Sequence, residues 1–185
     1  MRHFMHIASG IDVMPLALAL QLQPELWNQH NERKEFEGTS HKGTSDIWVR
    51  YNDPKNLEQG YEKYTSEHDS VWHPAYYKLP QLRPIIFSLM ARCEAVRLGG
   101  VLITKIPPGG HILPHADKGW HPEYYNVKLY VPIQANPQCV NRVGDEHVVM
   151  QTGDCWYFNN LVEHEVINNG NDDRMTLIIC LRCDG

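Results

Sequence analysis

From Gly99 onward, apolar residues recur at every second position in short runs, each closed by a turn signal. The runs are 101–106, 126–133, 147–151, 155–159, 164–168 and 175–181. Between them lie Pro107-Pro108-Gly109-Gly110, Asn136-Pro137, Val143-Gly144-Asp145, Thr152-Gly153-Asp154 and the polar stretch 168–173. A period of two is the repeat of a strand that buries one face, and many short strands with turns at close spacing build a sandwich, a barrel or a jelly roll. No longer internal repeat competes with that reading.

The first half reads differently. Residues 12–30 predict one or two short helices, broken at Pro24, that bury Leu16, Leu20, Leu26 and Trp27. A turn-rich stretch to Lys42 precedes Ile47-Trp48-Val49-Arg50-Tyr51, a short strand ended by Asn52-Asp53-Pro54. Residues 52–80 are polar with scattered aromatics and read as a long excursion of the kind that serves as a lid or stays disordered. Residues 81–96 carry Leu82, Ile85, Ile86, Leu89, Met90 and Cys93 on one face, an amphipathic helix with Pro84 in its first turn. The expectation is a single domain over 1–185, mainly β with flanking helices: a helical and loop flank at 1–98 and a β core at 99–185 that holds the site. A chain of 185 residues fits one domain, since domains run to roughly 100–200 residues.

Charge and cysteine usage narrow the function classes. Seventeen Lys and Arg against 22 Asp and Glu give a net charge of −5, which leaves no electrostatic footprint for a nucleic-acid backbone. The apolar run 13–20 is interrupted by Pro15 and preceded by Asp12. It is also far short of the ~20 residues that span a bilayer, so no membrane association is expected. Five cysteines form no disulfide framework, and a reducing, cytoplasmic setting is expected. Cys180-Leu181-Arg182-Cys183 has CxxC spacing but no second ligand pair to complete a zinc site.

Eleven histidines are the unusual component, and histidine is the commonest metal ligand. His115-Ala116-Asp117 places two ligands two residues apart, on one side of an extended segment. His164, in Glu163-His164-Glu165, comes 49 residues later, a separation that a folded-over β architecture can close. Two histidines and one carboxylate on one face of a metal form the facial triad of non-haem Fe(II) oxygenases. Arg174 opens the last run, where a guanidinium can grip a carboxylate bidentately. In 126–131 the alternation sets Lys128 and Tyr130 on one face and Val127, Leu129 and Val131 on the other. That face is either a pocket wall or a solvated surface.

Taken together, Thr104-Lys-Ile-Pro-Pro-Gly-Gly-His111-Ile-Leu-Pro-His115-Ala-Asp117, Asn126-Val-Lys128-Leu-Tyr130-Val-Pro-Ile, Gly153-Asp154, Glu163-His164-Glu165-Val166 and Arg174 resemble the aspartyl/asparaginyl β-hydroxylase family of Fe(II)- and 2-oxoglutarate-dependent oxygenases. The resemblance covers about 100–182, with a looser echo upstream in Trp27, Arg33, His41, Thr44 and Ile47-Trp48-Val49-Arg50. It implies a double-stranded β-helix (a cupin-like jelly roll) with His115 and His164 as iron ligands. It further implies Arg174 on the distal carboxylate of 2-oxoglutarate and Thr104 hydrogen-bonded to it. Lys128 and Tyr130 stand where the animal peptide hydroxylases have arginine and histidine. Asp117 also departs from those enzymes and is shared with the wider superfamily and with bacterial amino-acid hydroxylases.

The activity implied is hydroxylation of an amino-acid or peptidyl side chain, with dioxygen consumed and 2-oxoglutarate released as succinate and CO2. The expected partners are a small-molecule or polypeptide substrate and dioxygen. On the substrate side the candidates are His111, His41, Arg50 and Trp120, with His121 and Trp72 nearby; His147 reads as structural. Two rivals use the same ligands: a non-catalytic cupin-like module that binds metal and a small anion, and a zinc hydrolase, which lacks a general base at a recognisable offset.

Overall fold

The computed structural model describes residues 2–35 and 38–184, so the two ends of the expected 1–185 domain lie outside the described residues. The strands are β1 (Phe4–Ala8), β2 (Ser45–Tyr51), β3 (Val71–Trp72), β4 (Arg97–Ile106), β5 (His111–His115), β6 (Val127–Gln134), β7 (Cys139–Val143), β8 (Glu146–Val148), β9 (Cys155–Phe158), β10 (His164–Asn168) and β11 (Arg174–Arg182). They form two antiparallel sheets, ordered β1-β9-β6-β11-β4-β2-β3 and β5-β10-β7-β8. From β4 on, the chain passes from large sheet to small and back: β4 large, β5 small, β6 large, β7 and β8 small, β9 large, β10 small, β11 large. This shuttling makes a jelly roll, the fold class expected.

The two faces of the large sheet differ as its period-two sequence requires. Outward, Ile47, Val49, Val101, Ile103, Leu129, Val131, Leu177 and Ile179 are buried against helices α1 (Met14–Leu22), α5 (Pro74–Lys78) and α6 (Leu82–Arg92). The apolar stripe of α6, Leu82, Ile85, Ile86 and Leu89, is at most 4% exposed. Truncating Ile86 to Ala there costs about 2–5 kcal/mol. Inward, Trp48, Leu102, Tyr130, Phe158 and Ile178 meet Val143 and Val148 of the small sheet.

Three expectations are corrected. The β core is not confined to 99–185, because β1 pairs with β9, β2 with β4 and β3 with β2. Residues assigned to a helical and loop flank thereby cover edge strands whose backbone groups would otherwise lack partners. The segment 52–80 is not an unstructured excursion: it folds into α3 (Lys55–Glu58), α4 (Tyr61–Thr65), β3 and α5. Strands β1, β5 and β7 were not legible, and the 147–151 run contributes only its start, to β8. Two further short helices, α2 (Glu32–Glu35) and α7 (Trp120–Tyr124), lie near the open end of the sandwich.

Candidate metal centre

The separation between the two histidines closes by register. β10 pairs with β5 so that His164 lies directly opposite His115, with ring centroids 4.3 Å apart. Asp117 follows β5, and its backbone N–H donates to the Asn160 carbonyl at 3.0 Å, which turns the carboxylate back over the imidazoles. Asp117 Oδ1 lies 3.5 Å from His115 Nε2 and 4.0 Å from His164 Nε2. Ligand atoms of the three residues all lie within 4.8 Å of one another. Groups bound at about 2.1 Å and at right angles to one ion stand about 3 Å apart, so a small inward adjustment closes the site.

Local hydrogen bonds prepare each donor. His115 Nδ1 is 2.7 Å from the Leu113 carbonyl and His164 Nδ1 is 2.9 Å from that of Val162. A carbonyl accepts only from N–H, so both protons sit on Nδ1 and both Nε2 lone pairs face the centre. Asp117 Oδ2 accepts from Lys128 Nζ at 2.6 Å and from Asn160 Nδ2 at 2.8 Å, which leaves Oδ1 as the free donor atom. Burial opposes ionisation of Asp117, but the Lys128 ammonium in contact with it outweighs that and holds the carboxyl well below its usual range. Burial, reinforced by Lys128, lowers the pKa of His164 to about 4, so its ring is neutral and available as a ligand. Two imidazoles, one carboxylate oxygen and an open side suit Fe(II).

Beside the triad, strand pairing lines up an inward polar row. Asp46 is opposite Thr104, Thr104 opposite Thr176, and Lys128 opposite Cys180. Arg174, two positions before Thr176, is 2% exposed and donates to Asn141 Oδ1 at 3.1 Å, with its guanidinium 5.4 Å from the Tyr130 ring centroid. Burial lowers its pKa. The Thr104 hydroxyl donates to Asp46 Oδ1 at 2.8 Å. A hydroxyl has one proton, so in this arrangement Thr104 donates to Asp46 and not to a co-substrate. Lys128 and Tyr130 form a pocket wall, not a solvated face.

A cavity of about 280 Å³ opens beside Asp117, Lys128 and Tyr130 and runs out past Arg33 and His41 to Tyr64 and His121. Of the substrate-side candidates, His41 lines it, with its ring centroid 5.1 Å from that of His115. The others are engaged elsewhere. His111 Nε2 is 2.7 Å from Glu165 Oε2, on the small sheet. Arg50 donates to the Ser70 carbonyl and lies over the Trp72 ring. Trp120 stacks on Tyr124, and it is the next residue, His121, that lines the cavity. Cys180 lines it too, while Cys183 donates its thiol to the Cys93 carbonyl at 3.3 Å, so the CxxC pair does not converge.

Asp46, Asn141 and Asn160 are site residues that the sequence reading missed. Asp46 was in principle findable: it lies two positions before Trp48 and shares its inward phase.

Residues 23–182 match a family model described as aspartyl/asparaginyl beta-hydroxylase. Among solved structures, the chain resembles a viral collagen prolyl hydroxylase from Paramecium bursaria Chlorella virus-1 in complex with 2-oxoglutarate (7% identity over 99% of this chain and 97% of that one, TM-score 0.57). It also resembles an oxidoreductase of the 2OG-Fe(II) oxygenase family from Burkholderia pseudomallei (9%, 75% and 67%, 0.55). A third likeness is to a Pseudomonas putida prolyl-4-hydroxylase (15%, 99% and 94%, 0.50). At these identities the likenesses establish a shared fold. No curated protein matches the sequence.

Proposed function

The chain belongs to the aspartyl/asparaginyl β-hydroxylase family, so it is a hydroxylating Fe(II)- and 2-oxoglutarate-dependent oxygenase, and we propose that His115, Asp117 and His164 hold its iron. The single observation that carries this assignment is the convergence of these three side chains, with both imidazoles oriented through Nδ1. The iron supplies the chemistry by which dioxygen and 2-oxoglutarate become succinate, CO2 and the oxygen delivered to substrate.

The chain's own residues bind and orient. Arg174 is the grip for the distal carboxylate of 2-oxoglutarate: a buried cation whose protein partner is one neutral amide is satisfied by an anion. Tyr130 packs against that guanidinium and fixes its plane. Lys128 and Asn160 hold Asp117 through Oδ2, so it presents one oxygen. His41 and Leu102 line the cavity beside the site.

The substrate is an amino-acid or peptidyl side chain, and the setting is cytoplasmic. Five free cysteines support that setting. Among the described residues no helix is long and apolar enough to cross a membrane. The test is succinate formation from 2-oxoglutarate in air with added Fe(II), at least slowly without the prime substrate. His164→Ala and Arg174→Ala abolish it if the assignment holds. Turnover that survives either substitution contradicts it.

A further inference from the structure

The outer half of the cavity contains a cation that the proposed iron and co-substrate sites do not use. Arg33, on α2, lines the cavity with its side chain 12% exposed, and Nε lies 3.5 Å from Asp46 Oδ2. Asp46 is itself fully buried, and its other oxygen accepts from Thr104. Thr104, Asp46 and Arg33 therefore form a chain that holds the guanidinium from behind. The two terminal nitrogens have no ion-pair or hydrogen-bond partner among the described residues, and Tyr51 and Tyr130 line the same cavity. A planar guanidinium ion-paired to Asp46 on its Nε side and open at both Nη groups can take a carboxylate bidentately.

The surroundings define what accompanies that carboxylate. Tyr51, Tyr61, Tyr64, His68, His121 and Tyr125 wall the outer cavity, and Tyr64 is held over it by a hydrogen bond from Asn52 to its backbone carbonyl. His121 Nε2 and Tyr64 Oη are buried without a hydrogen-bond partner among the described residues, as expected of groups that wait for a polar ligand. Burial lowers the pKa of His121 to about 3, with His68 adding to the effect, so its ring is neutral. Charge agrees. With a divalent iron and doubly negative 2-oxoglutarate in place, Asp46 and Asp117 against Arg33, Lys128 and Arg174 leave one positive charge uncompensated. The whole cavity, about 280 Å³, lies below the roughly 300–1,000 Å³ of sites for drug-sized ligands, so the outer part beside the co-substrate space suits a small acid.

Resting on the oxygenase reading, we infer that the substrate is a free carboxylate of amino-acid size, bound through its carboxylate to Arg33 and with its body enclosed by the aromatic wall. The part of 52–80 that carries Tyr61, Tyr64 and His68 is then the substrate cover, and Arg33 is a specificity-determining residue.

Ligand-observed NMR on the zinc-loaded protein tests this. The probes are the twenty standard amino acids, benzoate, phenylacetate and 4-hydroxyphenylacetate, each beside its carboxamide, with 2-oxoglutarate titrated in parallel. At least one free acid should bind saturably and its carboxamide about tenfold to a hundredfold more weakly, the range for losing a charged hydrogen-bonded contact. Arg33→Met should lose the acid and keep 2-oxoglutarate. If that variant is unstable, the paired Arg33→Met/Asp46→Asn variant removes both buried charges and should give the same result. The inference is overturned if no free acid binds, if binding is indifferent to Arg33, or if only peptides blocked at both ends bind or raise succinate formation. Absence of 2-oxoglutarate binding by the unsubstituted protein is a separate failure, that of the oxygenase reading itself.

Discussion

Arg174 reaches one partner, the side-chain oxygen of Asn141 at 3.1 Å, and no carboxylate among the described residues lies within ion-pair distance of it. Burying a cation without a counter-ion is costly, so under the proposed assignment the protein without co-substrate carries a local destabilisation that 2-oxoglutarate would relieve. Arg174→Met should weaken 2-oxoglutarate binding by at least about 100-fold. It should also stabilise the unliganded protein, by about 1–4 kcal/mol on the scale of buried charges replaced by apolar side chains. Calorimetric titration and thermal melts read the two effects. Lower stability with 2-oxoglutarate affinity intact would make Arg174 a structural residue.

Asn160 orients Asp117, the proposed carboxylate ligand, twice: its backbone carbonyl accepts from Asp117 N–H and its Nδ2 donates to Oδ2. Asn160→Ala should lower metal affinity about 10–100-fold, the usual effect of losing a group that positions a ligand. A competition titration against a chelator measures it, and unchanged affinity would show that Lys128 alone holds the carboxylate.

Thr104 distinguishes what resemblance implies from what the structure contains. Since its proton goes to Asp46, Thr104→Val should cost about 1–3 kcal/mol, the cost of leaving a buried charged acceptor short of a donor. The KM for 2-oxoglutarate should stay unchanged. A raised KM with undiminished thermal stability would return Thr104 to the co-substrate.

His121 gives a pH signature. Its ring faces His68, Arg50, Lys128 and Asp117, and its folded pKa of about 3 lies below the unfolded value near 6.5. The unfolded chain therefore binds more protons between those limits, and stability rises with pH across that window. The contribution is fully present above about 6.5 and is lost as pH falls toward 3. The melting temperature of the metal-free protein should fall relative to that of His121→Gln as pH drops from 7 to 4.5. A difference that does not change with pH would mean that His121 is not held neutral by burial.

Legibility followed the side chains' periodicity. β4, β6, β9, β10, β11 and α6 alternate or repeat cleanly; of the triad only His164 sits on such an element, and His115-Ala-Asp117 was readable from its own two-residue spacing. β7 was hidden because it inverts the pattern: Asn141 points inward and is buried, whereas Val140 and Arg142 are half-exposed. That same inversion concealed the partner of Arg174. Pro114 masked β5, although a proline is tolerated there because β5 is the edge of the small sheet. The link from Arg33 to Asp46 and Thr104 spans three separate elements, and no local spacing announces it.

The assignment of iron and 2-oxoglutarate to this site is tested most directly by an anaerobic visible-absorption titration with Fe(II). A charge-transfer band should appear only when Fe(II) and 2-oxoglutarate are both present, saturate at one equivalent of iron, and vanish in His164→Ala. No band with both present, or a band that survives that substitution, would contradict the assignment.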